Sequence, residues 1–352
     1  MTITDPVRSA KSIRSDTTLE EIDVLCSVLE GAERDQPRAR AVKRSITMKR
    51  EIYPNFGLLR LLLAAEVMLF HLHVVPARAG SGWYINPVPS FIAISGFLIL
   101  QSFEQSPSWP RFAWKRLCRV GPGFITALVL VAFASGFSAI PPTLADYVMA
   151  GLSGRTSADG PLWSLMVEEI LYAALALGVV IGIYRAKWPV WLWVVLGATV
   201  IPLLLLGYPR RVERIGWVLA TFPIGSLMYI YRHRLARVHS ITWITLLVLC
   251  LAFPPYFADR VMMQLWTMAE AVAVVGIGAW GPKLVDPKWD VSYGLYLYHI
   301  PIYNLLQRHG WPISATVSIA VLIAAISWRF IERPALRLKN LSWQVHQIQA
   351  GS

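Results

Sequence analysis

Residues 57–76 read Gly57-Leu58-Leu59-Arg60-Leu61-Leu62-Leu63-Ala64-Ala65-Glu66-Val67-Met68-Leu69-Phe70-His71-Leu72-His73-Val74-Val75-Pro76. A mostly apolar run of this length matches the ~20 residues a helix needs to cross hydrocarbon. Yet the run carries Arg60, Glu66, His71 and His73. An ionisable group at bilayer depth is costly enough to be a functional candidate by default. Ten residues separate Arg60 from His71. Eleven steps of about 100° bring the two to within roughly 20° of one face, with a rise of roughly 16 Å. Glu66 lies about 140° round from His71 and is a poor direct partner for it. Taken alone, His71 could equally be a histidine that hydrogen-bonds a neighbouring helix.

The rest of the chain has the same character. Of 352 residues, 55% are hydrophobic and only 15% charged, and mean hydropathy is +0.50. Soluble domains carry about 25% charged residues, so disorder is excluded and lipid is implied as part of the solvent. Apolar segments at 57–76, 87–103, 122–140, 162–184, 188–206, 215–231, 241–257, 263–280, 289–306 and 311–331 predict an all-α polytopic bundle of about ten transmembrane helices. Spans 87–103 and 289–306 are the weakest by hydropathy. Lys and Arg number 25 on one side of this arrangement and seven on the other, which sets both termini in the cytoplasm. Fifteen tryptophans suit interfacial belts. The net charge of +12 is then a positive-inside signal facing anionic lipid, and no nucleic-acid partner is expected. Cys26, Cys118 and Cys250 stand at neither metal nor disulfide spacing. Residues 1–50 form a polar extension without a signal peptide, with a short amphipathic helix over 16–31 capped by Thr18 and Glu21. Residues 56–335 form the membrane domain and 336–352 a cytoplasmic tail.

Three other segments carry polar groups that need an explanation. In Trp163-Ser164-Leu165-Met166-Val167-Glu168-Glu169-Ile170-Leu171-Tyr172, the residues Ser164, Glu168 and Tyr172 recur at i, i+4, i+8 as a polar stripe. This helix enters from outside, so Glu168 reaches the depth of His71, and a carboxylate there would fix the imidazole tautomer. Glu168 is favoured over Glu169 for this role. In Ser292-Tyr293-Gly294-Leu295-Tyr296-Leu297-Tyr298-His299, the residues Ser292, Tyr296, His299 and Tyr303 share one face. That face either lines a tunnel or satisfies neighbouring helices. Ser95-Gly96-Phe97 offers small residues for close helix approach. Lys115-Arg116-Leu117-Cys118-Arg119-Val120-Gly121-Pro122 reads as a basic cytoplasmic loop. If it is helical, Arg116 and Arg119 share a face that suits a polyphosphate. No phosphate loop, dinucleotide fingerprint or HExxH motif occurs.

In this order the pieces resemble the membrane acyltransferase-3 family over about residues 56–335. Arg60 and His71 match its R-x10-H element, and Ser95-Gly96-Phe97 its SGF element. Lys115-Arg116 through Arg119 and Pro122 match its basic loop. Trp163-Ser164-Leu165 with Glu168 and Tyr172 match its WSLxxE segment. Ser292-Tyr293 through Tyr296 and His299 match its SYxxYLxH segment, and Ile331-Glu332-Arg333-Pro334 its IExP ending. Gly57 stands where many members have Asp, Glu66 where an apolar residue is expected, and the esterase-like domain fused to some members is missing.

The resemblance implies an O-acyltransferase of the bacterial inner membrane. It would move an acyl group, usually acetyl, from cytoplasmic acyl-CoA to a hydroxyl of an envelope or exported glycan or glycolipid. Acyl-CoA would be a co-substrate, with no permanently bound cofactor or metal. Polysaccharide-assembly proteins are possible further partners. His71 and Glu168 would be catalytic; Arg60, Lys115, Arg116 and Arg119 would hold the CoA phosphates. Ser95, Trp163, Ser164, Tyr172, Ser292, Tyr296, His299 and Glu332 would line the tunnel. The competing reading is a proton-coupled transporter that uses the same ionisable residues, which would favour an internal repeat; none is evident.

Overall fold

The first half of one helix is covered by protein around its whole circumference. All eight residues from Ser292 to His299 are buried, although five of them are Ser, Tyr or His residues of the expected polar stripe and its neighbours. The computed structural model describes residues 53, 55–74, 86–104, 109–149, 152, 161–180, 197, 210–253 and 260–338. These contain α1 (Asn55–His71), α2 (Pro87–Glu104), α3 (Trp109–Ser135), α4 (Ile140–Val148), α5 (Leu162–Val180) and α6 (Arg210–Ile230). They continue with α7 (Arg232–Leu235), α8 (Ser240–Ala252), α9 (Arg260–Trp280), α10 (Ser292–Arg308), α11 (Ile313–Ser327) and α12 (Arg333–Leu338). A π-helical turn, Trp328–Glu332, joins the last two. No strand occurs among the described residues. The helices belong to one unit, Pro54–Ser352.

Nine expected spans fall on helices α1, α2, α3, α5, α6, α8, α9, α10 and α11. Span 188–206, the amphipathic helix at 16–31 and the tail beyond 338 lie outside the described residues. Among the described residues, four stretches are long and apolar enough to cross a membrane: Pro87–Glu104, Trp109–Ser135, Met262–Trp280 and Ile313–Leu338. Their outer faces are apolar. Ile125, Val129 and Phe133 form an exposed i, i+4, i+8 stripe on α3, 62 to 76% accessible, which water would not tolerate at this size and lipid would. The chain is a membrane protein on these grounds.

The basic stretch expected as a loop is helical. Lys115–Pro122 forms the first half of α3, which begins at Trp109 and runs through Pro122. Proline in a helix interior removes an i→i−4 bond, and neighbouring groups make that tolerable in a membrane helix. Hydroxyls brace the turns on either side of the proline: Tyr293 Oη donates to the Val120 carbonyl at 2.8 Å, and Thr126 Oγ1 donates to the Pro122 carbonyl at 2.9 Å. Gly123 lets the Tyr293 ring lie against the helix; a Cβ there would overlap the ring.

α1 ends at His71 rather than running to residue 76. His73 adopts φ +57°. Its N–H reaches the Phe70 carbonyl at 3.1 Å, and the Val74 N–H reaches Leu69 at 3.0 Å. That is a Schellman cap with histidine at the position usually taken by glycine. His73 therefore terminates the helix. At the other end of α1, Asn55 donates to the carbonyls of Ile277 and Pro282 at 3.0 and 2.9 Å and accepts from the Leu284 N–H at 2.8 Å. One side chain thus closes the last turn of α9 against the first turn of α1.

The expected close approach at Ser95-Gly96-Phe97 is present between α2 and α6. A Cβ on Gly96 would overlap the Phe222 carbonyl, and one on Gly225 the Ala93 carbonyl. Ser226 Oγ donates to the Gly96 carbonyl at 3.1 Å across the same seam. Backbones this near exclude even a methyl group, and overpacking typically costs about 1–3 kcal/mol. Gly225→Ala is expected to lower the thermal unfolding midpoint of the purified protein, read by tryptophan fluorescence in detergent. Activity should fall with it, because α2 carries Ser95. An unchanged midpoint would mean that the seam opens freely.

Candidate active site

α10 meets two clusters of functional side chains, one near each end of its buried segment. Near its start is a narrow pocket between α1, α2, α5 and α10, with an internal volume of about 50 Å3. That is room for a small group or a few waters. Six residues singled out in the sequence line it: Arg60, Ser95, Ser164, Glu168, Ser292 and Tyr296. They come from four separate helices, which is the chief way the structure brings the motifs together. Ser95 Oγ and Tyr172 Oη both donate to Glu168 Oε1. Ser164 Oγ and Tyr296 Oη share a hydrogen bond of 2.6 Å. The stripe on α5 is thus satisfied by hydroxyls of α2, α5 and α10.

Beside this pocket stands a residue the sequence reading passed over. Asp290, two residues before α10, accepts from Arg119 Nη2 at 2.7 Å and lies 3.8 Å from Arg60 Nη1. Ser292 Oγ donates to its other oxygen at 2.6 Å. One carboxylate between two guanidiniums leaves a net positive charge of one. The available signal was an acidic residue at the cytoplasmic edge of expected span 289–306, on the side where Arg116 and Arg119 were expected. Arg116 lies on the same face of α3 as Arg119, as helical spacing requires. Its guanidinium sits 5.6 Å from the ring centroids of Phe112 and of Tyr172. No carboxylate is within ion-pair distance of Arg116 among the described residues, and its Nε is buried without an acceptor. Lys115 is half-buried and lies outside the pocket lining, as does Trp163.

The second cluster is at the other end of α1. The sequence reading set His71 opposite Glu168, but its partner is His299. His71 Nδ1 is 3.2 Å from His299 Nε2, with the rings 5.2 Å apart between centroids. Helical geometry correctly turned Arg60 and His71 to one face of α1. It could not say which neighbour that face would meet, and the neighbour is α10. Glu169, on the next position of α5, pairs instead with Tyr147 Oη at 2.5 Å. Glu332 does not line the pocket. It is buried in the π-helical turn and accepts from Ser327 Oγ at 3.1 Å and Tyr298 Oη at 3.4 Å, tying α11 to α10. No group of three or more His, Cys, Asp or Glu residues that could hold a metal occurs among the described residues.

This architecture agrees with what is found among known proteins. The acyltransferase-3 family model, described as an acyltransferase domain, matches residues 53–331. Nodulation protein 10 of Rhizobium leguminosarum bv. viciae is 25% identical, with 81% of this chain and 94% of that protein covered. An O-acetyl transferase of Shigella phage Sf6 is 23% identical, with 69% of this chain and 82% of that protein covered. No solved structure matches. The match spans every element that builds the two clusters, so the chain belongs to the acyltransferase-3 family and is an acyltransferase.

Proposed function

We propose that the protein moves an acyl group, acetyl in the first instance, from cytoplasmic acyl-CoA to a hydroxyl of an envelope or exported glycan or glycolipid. The setting is a bacterial inner membrane, crossed about ten times with both termini inside. The observation that carries this reading is the pair of clusters joined by α1 and α10. Arg60 lies beside Arg119 and Asp290, while His71, roughly 16 Å further along the same helix face, meets a second histidine. A pantetheine arm has a comparable length, so phosphates held at the arginine end allow a thioester to extend toward His71. The relative named O-acetyl transferase supports an oxygen acceptor.

In this mechanism His71 is the general base. It takes the proton from the acceptor hydroxyl as the oxygen attacks the thioester carbonyl carbon. The carbon–sulfur bond then breaks, and the leaving thiolate recovers the proton. Glu168 acts in the pocket, where it holds the Ser95 and Tyr172 hydroxyls around the path of the arm. Arg116, Arg119, Arg60 and Lys115 receive the phosphates, since guanidiniums make paired, charge-assisted hydrogen bonds with them. Water exclusion strengthens each of these interactions.

Purified protein given acetyl-CoA and an acceptor is expected to release CoA. His71→Ala should lower that rate by on the order of 10²- to 10⁴-fold. His73→Gly should leave it nearly unchanged, because glycine accepts the left-handed backbone of the cap. Equal activity of His71→Ala and wild type would remove His71 from the chemistry. Comparing the masses of envelope and exported polysaccharides from wild-type and deletion strains identifies both acyl group and acceptor.

The two arginines of α3 should behave differently. Arg116→Ala is expected to weaken CoA binding about 10-fold or more, a lost charged hydrogen bond, with an unchanged unfolding midpoint. Arg119→Ala should weaken binding and also lower the midpoint, because it leaves Asp290 with Arg60 alone. Isothermal titration with CoA, paired with thermal unfolding, reads both. Unchanged CoA affinity in both variants would return these residues to a topological role.

A further inference from the structure

Carbonyl contacts around the two imidazoles leave one consistent arrangement of their protons. His71 Nδ1 lies 2.9 Å from the Val67 carbonyl oxygen, and His299 Nδ1 lies 2.9 Å from that of Leu295. Each ring thus bonds back to the carbonyl four residues earlier on its own helix. A carbonyl oxygen only accepts, so each Nδ1 carries a hydrogen. His71 Nδ1 also faces His299 Nε2 at 3.2 Å. With a hydrogen on the first atom, the second must offer a lone pair. The His71 N–H is therefore shared between Val67 and His299, and His71 Nε2 is left as a lone pair with no partner among the described residues. The assignment follows from the hydrogen-bond network, as a tautomer assignment must.

We propose that His299 is a positioning residue: by accepting from Nδ1, it locks His71 in the tautomer that presents Nε2 as the reacting nitrogen. The tautomer stands on geometry alone; what Nε2 then does rests on the acyl-transfer reading above. In the reaction Nε2 takes the acceptor's proton and passes it to the departing CoA thiolate, while Nδ1 keeps its own hydrogen throughout. His71 is transiently an imidazolium, and its Nδ1–H then points at a neutral acceptor. A carboxylate in this position would have to be buried as an ion before the reaction begins, at a desolvation cost the bundle interior repays poorly. An imidazole orients the base without that charge. His299 is completely buried, so its ring position is fixed by packing as well as by Leu295.

The test separates two amides. Glutamine carries its terminal amide atoms near the place of an imidazole Nε2, and asparagine near that of Nδ1, so only the first can accept from His71. His299→Leu and His299→Asn are expected to lower kcat by on the order of 100-fold with KM for acetyl-CoA unchanged. His299→Gln should recover to within about 10-fold of wild type by the same measure. Equal losses in Asn and Gln, or wild-type kcat in Leu, would overturn the proposal. Should the substitutions prevent folding, the wild-type protein decides. In 15N-histidine-labelled protein, solid-state NMR should show His71, assigned by loss of its signal in His71→Ala, protonated at Nδ1 and bare at Nε2. The reverse tautomer would overturn the proposal. A wild-type protein with the expected tautomer and no acyl transfer would instead sink the proposed function alone.

Discussion

Hydrocarbon offers no hydrogen bonds, so every polar group within a membrane bundle must find its partner in the protein. α10 is where that constraint is met. Its hydroxyls and imidazole are covered on all sides: Tyr296 by Ser164, Tyr298 by Ser327 and Glu332, His299 by His71, Tyr293 by the Val120 carbonyl. These contacts reach α5, α11, α1 and α3. The polar residues of one helix therefore dictate which helices surround it. Apolar packing fills the spaces between them, with Leu295, Leu297 and Ile302 of α10 packed against Ala64, Val67 and Met68 of α1 and Ala320 and Ala324 of α11.

The same constraint explains what was legible in the sequence. Hydropathy found the apolar helices because their outer faces meet lipid, as Ile125, Val129 and Phe133 do on α3. It scored residues 289–306 poorly because α10 is solvated by protein and has no need of an apolar surface. Periodicity set Arg60 and His71 on one face, and Ser164, Glu168 and Tyr172 on another, from single-helix geometry alone. Both stripes face inward: Arg60, Ser164 and Glu168 line the pocket, and Tyr172 binds Glu168.

What the sequence could not supply is pairing between helices. The expected His71–Glu168 contact assumed that equal depth means proximity. α1 turns its histidine to α10, while α5 turns its glutamate to α2. The start of α3 was likewise missed, because Lys115–Pro122 carries three basic side chains and reads as a cytoplasmic loop, whereas the helix begins at Trp109. Whether proline ends a helix depends on how its surroundings hold the turns beside it. Tyr293, 173 residues from Val120 in the chain, donates to the Val120 carbonyl in the turn before Pro122. Asp290 was overlooked because span 289–306 was read only for its Ser, Tyr and His stripe, and this carboxylate stands at its edge, two residues before α10 begins.

Charge is distributed unevenly along α10, and the acyl-CoA donor proposed above would fit that distribution. At its start, Asp290 offsets one of two guanidiniums, and Arg116 on the adjacent helix has no carboxylate at ion-pair distance among the described residues. That end therefore retains positive charge, which an anionic handle would neutralise. At His299 no ion pair occurs among the described residues; hydrogen bonds run from Leu295 through two imidazoles to a bare nitrogen. An acyl thioester is neutral, and neutral surroundings favour the step in which charge must appear only transiently. Exchanging the two environments would fail at both ends. A carboxylate among the phosphates without its arginines would repel the donor, and an uncompensated arginine beside His71 would oppose formation of the imidazolium. The fold thus separates the arginine cluster from the histidine pair by the length of one buried helix segment. The same segment, through Ser292 at one end and His299 at the other, helps to hold both environments in place.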